Sequence, residues 1–290
     1  MKELLRSACR MIYQRLSGSG LKRFYPIRLA KEFIVAKLKR DFAVVDGHRM
    51  FLDPQDALRL SIFGVHEPFQ TDLVKRFVKM GDTVLDIGAN IGYYTLLFAR
   101  LVGEHGRIYA FEPNPDNFAL LAKNVEANGY KNVVLIPKAV SDANGWVKLF
   151  LTRDCGSHSL GAVADSHGQI DVETVRLDDL FPDQSFQVDF IKIDIEGAEG
   201  LAISGMTELV KRSDRVKMIM EFRPCLLKLC GYDAEKVAAL LSAQGFSIAD
   251  IDEWRRNVKP TSKAELARKY DAAKDIHTYL LCQKHHQKEP

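Results

Sequence analysis

No apolar run in the chain approaches the roughly 20 residues that a membrane-spanning helix requires, so the sequence predicts no transmembrane segment. Its front end lacks a long apolar core followed by a small-residue cleavage site, which argues against a secretory signal. Cysteine is scarce and unpatterned. Cys9, Cys155, Cys225, Cys230 and Cys282 are odd in number and contain no C-x-x-C pair. A disulfide framework or zinc knuckle is therefore not the organising device, and free thiols in a reducing, cytoplasmic setting are expected. No ligand set for a metal ion is evident by spacing. Internal repeats and low-complexity stretches are also missing.

What is present suits a globular protein. The 290 residues are 47% hydrophobic and 27% charged, enough for one large domain or for a domain with an appendage. The net charge of +3 is unevenly spread: residues 1–40 carry +9 and the remaining 250 carry −6. Residues 3–16 place Leu4, Leu5, Ala8, Met11, Ile12 and Leu16 on one helical stripe, which ends at the Ser-Gly repeat of 17–20. A second helix fits 27–39. Residues 42–54 read as a hairpin turning at Asp46-Gly47, and 69–79 as an amphipathic helix. These features predict a basic N-terminal extension over 1–68 and a second unit over 69–290.

From Thr83 the pattern turns regular. Strands fit 83–87, 107–111 and 133–136, with helices over 91–101 and 115–128 between them. That alternation predicts a parallel sheet with helices on both faces. Residues 146–151 and 170–176 read as antiparallel strands around a polar loop. Further strands fit 188–194, 215–221, 246–251 and 277–282, and a helix interrupted near Gly231 fits 226–241.

The first strand runs into "DIGANIGYYTLLFA". Gly88 allows a sharp turn and Gly92 a close start of the next helix, where backbone N–H groups are open to a ligand. Asp86 stands at the strand end, able to oppose an ammonium group. The next strand ends in Phe111-Glu112-Pro113, and a carboxylate there can take both hydroxyls of a ribose. The spacing is G-x-x-x-G, not the dinucleotide G-x-G-x-x-G. Spacing alone indicates a nucleotide-like site.

"DIGANIGYYTLLFA", "AFEPNPDNFALLAKNVEANG", "KAVSD" and "IKIDIEGAE" together resemble the FkbM family of S-adenosylmethionine-dependent methyltransferases, across about residues 42–222. His66 stands where that family commonly has Tyr. The resemblance implies a Rossmann-like α/β fold of the class I methyltransferases, seven strands with the last antiparallel; to it the chain's own pattern adds helices on both faces, an inserted β-hairpin region and an N-terminal helical and hairpin extension, on residues 1–40 of which the resemblance is silent. The resemblance also implies a role for each motif position. Gly88 and Ala89 would hold the methionine part of S-adenosylmethionine, with Asp86 near its amino group and Asn90 and Gly92 completing the loop. Glu112, followed by Pro113, would grip the ribose, and Ala139, Val140 and Asp142 would edge the adenine. The implied acceptor is a hydroxyl of a sugar, glycan precursor or secondary metabolite.

"IKIDIEGAEG" places Lys192, Asp194 and Glu196 on alternating positions of an apolar, strand-like run. Buried charges are costly unless paired or used. Asp194 and Glu196 are expected at the rim of the pocket as catalytic and cofactor-facing acids, with Lys192 orienting Asp194 from one step deeper. Glu199 reads as a helix-start acid. His158, on the inserted loop, is a candidate base. Glu67, with His66, is placed to close over the cofactor. Glu221 either reaches the pocket or faces solvent.

The basic front end is open to packing on the catalytic domain or a second subunit, or to peripheral contact with an anionic membrane face. Nucleic acid is not an expected partner, because the body is acidic and "DIEG" occupies the place of the D/N-P-P-Y motif of amino-methylating enzymes. Two rivals remain at this stage: a nicotinamide-dependent oxidoreductase, and a membrane-associated binding protein that kept the fold without turnover.

Overall fold

The structure is a computed structural model that describes residues 42–152, 157–164, 166–270 and 276–284. The helices expected over 3–16 and 27–39, Cys9, Cys155 and the terminal His285 and His286 lie outside the described residues. In chain order the first elements are β1 (Phe42–Val45), β2 (His48–Phe51), α1 (Leu60–Phe63), α2 (Pro68–Phe77), β3 (Thr83–Ile87), α3 (Tyr93–Val102) and β4 (Arg107–Phe111). Next come α4 (Pro115–Ala127), β5 (Val133–Ile136), β6 (Ala139–Val140), β7 (Gly145–Leu151), β8 (Gly168–Val175), α5 (Leu177–Leu180) and β9 (Phe190–Ile193). The chain continues through α6 (Glu199–Ser204), α7 (Thr207–Arg212), β10 (Lys217–Phe222), α8 (Pro224–Leu227), a 3-10 turn (Lys228–Cys230) and α9 (Ala234–Ala243). It closes with β11 (Phe246–Asp252), β12 (Asn257–Pro260), α10 (Lys263–Lys269) and β13 (Thr278–Lys284).

Eight strands form the central sheet in the order β12-β11-β13-β10-β9-β3-β4-β5. The run from β5 to β10 is parallel, and β13 inserts antiparallel between β10 and β11. The expected seven strands are all present. The eighth, β12, is an addition: a short, half-exposed edge strand, paired only with β11 and ending in Pro260, which carries too little apolar signal to be read in sequence. The strands expected at 146–151 and 170–176 do pair antiparallel, but in a separate three-stranded sheet β6-β8-β7 beside the main one.

Strand alternation sorts the side chains into two layers. Leu85, Ile87, Ile191, Ile193, Met218 and Met220 pack on one face against the helices α6, α7, α9 and α10. Val84, Ile108, Phe190, Ile219 and Leu281 pack on the other, under α2, α3, α4 and the β1–β2 hairpin. Asp86, Lys192, Glu221 and Tyr279 share the parity of this second set, and Asp86 lies directly across from Lys192 in the β3–β9 register. Sheet geometry thus brings four polar side chains from four strands to one face. Among the described residues, no helix is long and apolar enough to cross a membrane.

The hairpin turns at Asp46 and Gly47, both with positive φ (49° and 83°), as a two-residue hairpin turn demands. Asn124 of α4 ties it down. Its side-chain amide accepts from the Phe51 N–H (2.7 Å) and donates to the carbonyls of Phe51 (3.0 Å) and Ile91 (2.8 Å), fully buried. Replacing Asn124 by Ala leaves three backbone groups without their partner, the two of Phe51 half-buried and that of Ile91 fully buried, and a buried group so left costs about 1–3 kcal/mol. Urea unfolding should show Asn124→Ala less stable by about 3 kcal/mol, and an unchanged midpoint would refute the tether.

Candidate active site

The glycine turn after β3 is built to approach the loop after β9. Gly88 has φ +87°, and a Cβ there would lie 2.0 Å from the Asp194 carbonyl oxygen, so no other residue fits. The N–H groups of this turn are all satisfied within the protein. Gly88 and Ala89 donate to the Phe111 carbonyl (3.0 and 2.9 Å), Asn90 to Glu112 Oε2 (2.9 Å), Ile91 to Asn90 Oδ1 (2.7 Å) and Gly92 to the Ala89 carbonyl (2.8 Å). These five donors go chiefly to locking β3 to β4, and the helix itself starts one residue later, at Tyr93.

Glu112 is buried and clasped by N–H groups, Asn90 on Oε2 and Asn114 on Oε1 (2.9 Å each). Burial pushes its carboxyl up to about 7, against the pull of those donors. It lines a cleft of about 550 Å³ whose remaining wall is largely apolar: Ile87, Phe111, Ala139, Val140, Leu149 and Leu160. Pro113, Asn117, Lys138 and His158 also line it. A flat aromatic base with a vicinal diol matches this surface, since an apolar slot takes the base and a clasped carboxylate the hydroxyls. Asp142 does not line the cleft. Its side chain is exposed and takes a hydrogen bond from the Ser141 hydroxyl (3.2 Å).

A second cavity of about 800 Å³ adjoins the first and shares Gly88, Asn90, Asp194 and Glu196 with it. Lys192 is its centre. The residue is 1% exposed, and Nζ donates to Asp194 Oδ2 at 2.8 Å. The same ammonium sits 5.0 Å from the Tyr94 ring centre and 5.1 Å from that of Tyr279. Burial alone would lower its pKa, but Asp194, Glu67 and Asp86 hold it above the ordinary lysine value. Asp86, also buried, takes the Thr95 hydroxyl (2.5 Å), and burial pushes it up to about 6 despite Thr95 and Lys192.

Glu67 stands at the N-cap position of α2 with φ 43° but makes no side-chain cap. The carboxylate of Glu253, on the β11–β12 turn, accepts the first-turn N–H groups of Phe69 (2.7 Å) and Gln70 (3.1 Å) instead. Glu67 is thereby released into the cavity, where Oε2 accepts the Tyr94 hydroxyl (2.8 Å) and His66 Nε2 lies 3.7 Å from Oε1. Burial raises the Glu67 carboxyl, but His66, Lys192, Tyr279 and Tyr94 outweigh it and hold the group low.

β9 ends at Ile193, so Asp194 and Glu196 project from the following loop, not from a strand that reaches 196. Glu196 has φ 50°, pairs with Arg223 (3.3 Å) and is pushed up to about 8 by burial and the charge of Asp194. Glu67, Asn90 and Glu196 are three non-glycine residues in left-handed conformations that line one site, where backbone strain is concentrated. Glu199 is structural: its carboxylate accepts from the N–H groups of Ile195 (3.3 Å) and Gly197 (3.1–3.2 Å) and fixes the loop. His158 faces the Glu112 cleft, and its Nδ1 accepts the Thr152 N–H (3.2 Å). A ring nitrogen that accepts carries no proton, so the neutral ring bears its proton at Nε2.

Sequence reading did not single out Tyr94, Tyr279 or Glu253. Tyr94 sits on the helix just past the glycine motif, and its offset from Gly92 could have flagged it. Tyr279 and Glu253 come from the far end of the chain and carry no local signal. Glu221, left between pocket and solvent, lines the second cavity. The Tyr232-x-x-x-Lys236 spacing, a pattern also found in nicotinamide enzymes, lines neither cavity, and the Tyr232 hydroxyl meets Ser204 (3.0 Å).

Residues 86–248 match the family model described as the methyltransferase FkbM domain. The methyltransferase sdnD of Sordaria araneosa is 26% identical over 204 residues, covering 59% of this chain and 76% of the relative. The hexuronic acid methyltransferase AglP of Haloferax volcanii is 28% identical over 165 residues, covering 56% and 62%. The 31-O-demethyl-FK506 methyltransferase FkbM of Streptomyces tacrolimicus is 27% identical over 161 residues, covering 45% and 62%. The chain thus spans less than two thirds of the length of the last two.

The raised carboxyls make a pH prediction. Folded Asp86 (about 6), Glu112 (about 7), Glu199 (about 7) and Glu196 (about 8) bind protons that the unfolded chain releases near pH 4. Their stabilisation is complete below the unfolded values and is lost as pH rises through 6–8. His48, held low by burial, acts oppositely near 6.5. Urea unfolding should show stability falling from pH 5 to pH 8. In Glu112→Gln the fall should be smaller by on the order of 2 kcal/mol, and an identical slope in both proteins would overturn the assignment.

Proposed function

The chain belongs to the FkbM family and is a methyltransferase dependent on S-adenosylmethionine, and on that premise we propose that it methylates a hydroxyl oxygen of a sugar, glycan precursor or secondary metabolite. The observation that supports this most is the junction of the two cavities. A cleft shaped for a nucleoside meets, at Asp194, a polar cavity organised around a buried ammonium. The relatives are named for a hexuronic acid and for 31-O-demethyl-FK506, which fits an oxygen acceptor.

When bound, S-adenosylmethionine supplies an electrophilic methyl group on a positively charged sulfur. In this reading Glu112 takes the ribose hydroxyls, whose donation favours its ionised form. Ala139, Val140 and Leu149 cover the base, with Pro113 at the cleft's edge. Asp86 and Glu67 face the amino-acid end, and Gly88, Ala89, Asn90 and Gly92 keep the turn close to it. Asp194 accepts the proton of the attacking hydroxyl, and Lys192 holds the carboxylate through Oδ2. Glu196 narrows the passage between the cavities. Alignment of the reacting groups supplies up to ~7–11 kcal/mol in favourable cases, and a positioned base contributes ~10²–10⁴-fold.

Calorimetric titration with S-adenosylhomocysteine, against NAD as control, tests the cofactor site. Binding of the former alone is expected, and NAD alone would restore the oxidoreductase reading. Glu112→Ala should weaken that affinity more than about tenfold, since one ionic hydrogen-bond acceptor is worth ~1.5–3 kcal/mol. Asp194→Asn keeps the side chain's shape and should bind S-adenosylhomocysteine within a few-fold of wild type while losing about 10²–10⁴-fold in turnover. Wild-type turnover in that variant would remove Asp194 from the chemistry.

A further inference from the structure

Glu221 is a buried carboxyl that the mechanism above does not use. It ends β10, is 5% exposed and lines the larger cavity, yet its Oε2 has no hydrogen-bond partner among the described residues. A buried polar atom without a partner is uncommon in a native protein and calls for a reason. The neighbours cannot supply one. In the β10–β13 register Glu221 lies beside Tyr279, whose hydroxyl is engaged with Glu67. Arg223, the cation that acts on the Glu221 carboxyl, is paired with Glu196 (3.3 Å), and Lys192 is committed to Asp194 and the two rings. Strand order places Glu221 two strands from the Gly88 turn, on the side away from β4 and Glu112. The position is therefore remote from the nucleoside cleft and next to the Asp194 loop.

The lining charges narrow the class of ligand. Glu67, Asp86, Asp194, Glu196 and Glu221 all face this cavity, and Lys192 and His66 are the only basic side chains among the described residues that do. An anionic group beside Glu221 would meet carboxyls and no uncommitted lysine or arginine. A neutral hydroxyl can satisfy the orphaned oxygen at no charge cost, because the terminal torsion of Glu turns freely enough to offer either oxygen. Burial and the charges of Asp194, Glu196 and Glu199 also push the Glu221 carboxyl well up, so that it can both donate to and accept from adjacent hydroxyls.

We propose that Glu221 seats the methyl acceptor by hydrogen bonding to a hydroxyl near the one that is methylated, and that the acceptor is an uncharged polyol ring such as a pyranose, not a uronate. The proposal rests on the methyltransferase reading, and the test separates the two. The protein saturated with S-adenosylhomocysteine is titrated with methyl glycosides of glucose, galactose and mannose and with the matching uronates, followed by ligand-observed NMR. At least one neutral glycoside should bind, its uronate at least tenfold more weakly. Glu221→Leu should lose that glycoside at least tenfold and Glu221→Gln should keep it within threefold, with S-adenosylhomocysteine affinity retained in both. Because Glu221→Leu removes an unpartnered buried carboxyl, its Tm should rise, which a structural role would not allow. Equal or tighter uronate binding in the wild type, no binding of any glycoside, or a glycoside affinity indifferent to Glu221→Leu would each overturn the proposal. Failure of wild type to bind S-adenosylhomocysteine would instead remove the reading beneath it.

Discussion

A single buried ammonium organises the site. Lys192 sits in the central strand of the sheet, out of contact with water, and an isolated cation there would cost several kcal/mol. It is tolerated because Asp194 bonds it directly, Tyr94 and Tyr279 present ring faces to it, and Glu67 and Asp86 lie close. Each of those partners is in turn placed by a different element: β3, the segment before α2, α3, the β9 loop and β13. The charge therefore ties together regions distant in sequence, and it sets the orientation of the carboxylate proposed to take the proton.

The same economy governs the glycine turn. Its backbone donors are consumed in joining β3 to β4, and Glu112 is fixed by that network. A clasped carboxylate needs no reorganisation when hydroxyl donors arrive, which is the kind of preorganisation that favours binding. The acidic surroundings then divide the labour. Glu199 is spent on holding the β9 loop, Glu67 is kept ionised by His66, Lys192 and the phenols, Asp194 is engaged by Lys192, and Glu221 is left for a partner the protein itself does not provide.

Much of this was legible along the chain. The β3, β4 and β5 segments, the hairpin at Asp46-Gly47 and the break at Gly231 follow from local rules: alternation, turn residues and helix stops. The motifs around Gly88, Glu112 and Asp194 were legible through their resemblance to the FkbM family, where spacing alone indicated a nucleotide-like site. The edge strand β12 and helix α10 were not, because neither is apolar enough to show a period, and β12 depends on β11 and α10 on α9 for its place.

What the sequence by itself determined is therefore the βαβ core, the position of its nucleoside-type motifs and the choice of acids at the β9 end, since these rest on contacts within a few residues and on covalent spacing. Only the tertiary structure decided which of those acids are free to act. Whether Glu199 caps a loop, whether Glu253 relieves Glu67 of capping α2, and whether Glu221 Oε2 goes unpartnered all depend on side chains brought together from distant positions. Hydrogen-bond satisfaction and burial are properties of that assembly, and no local pattern encodes them.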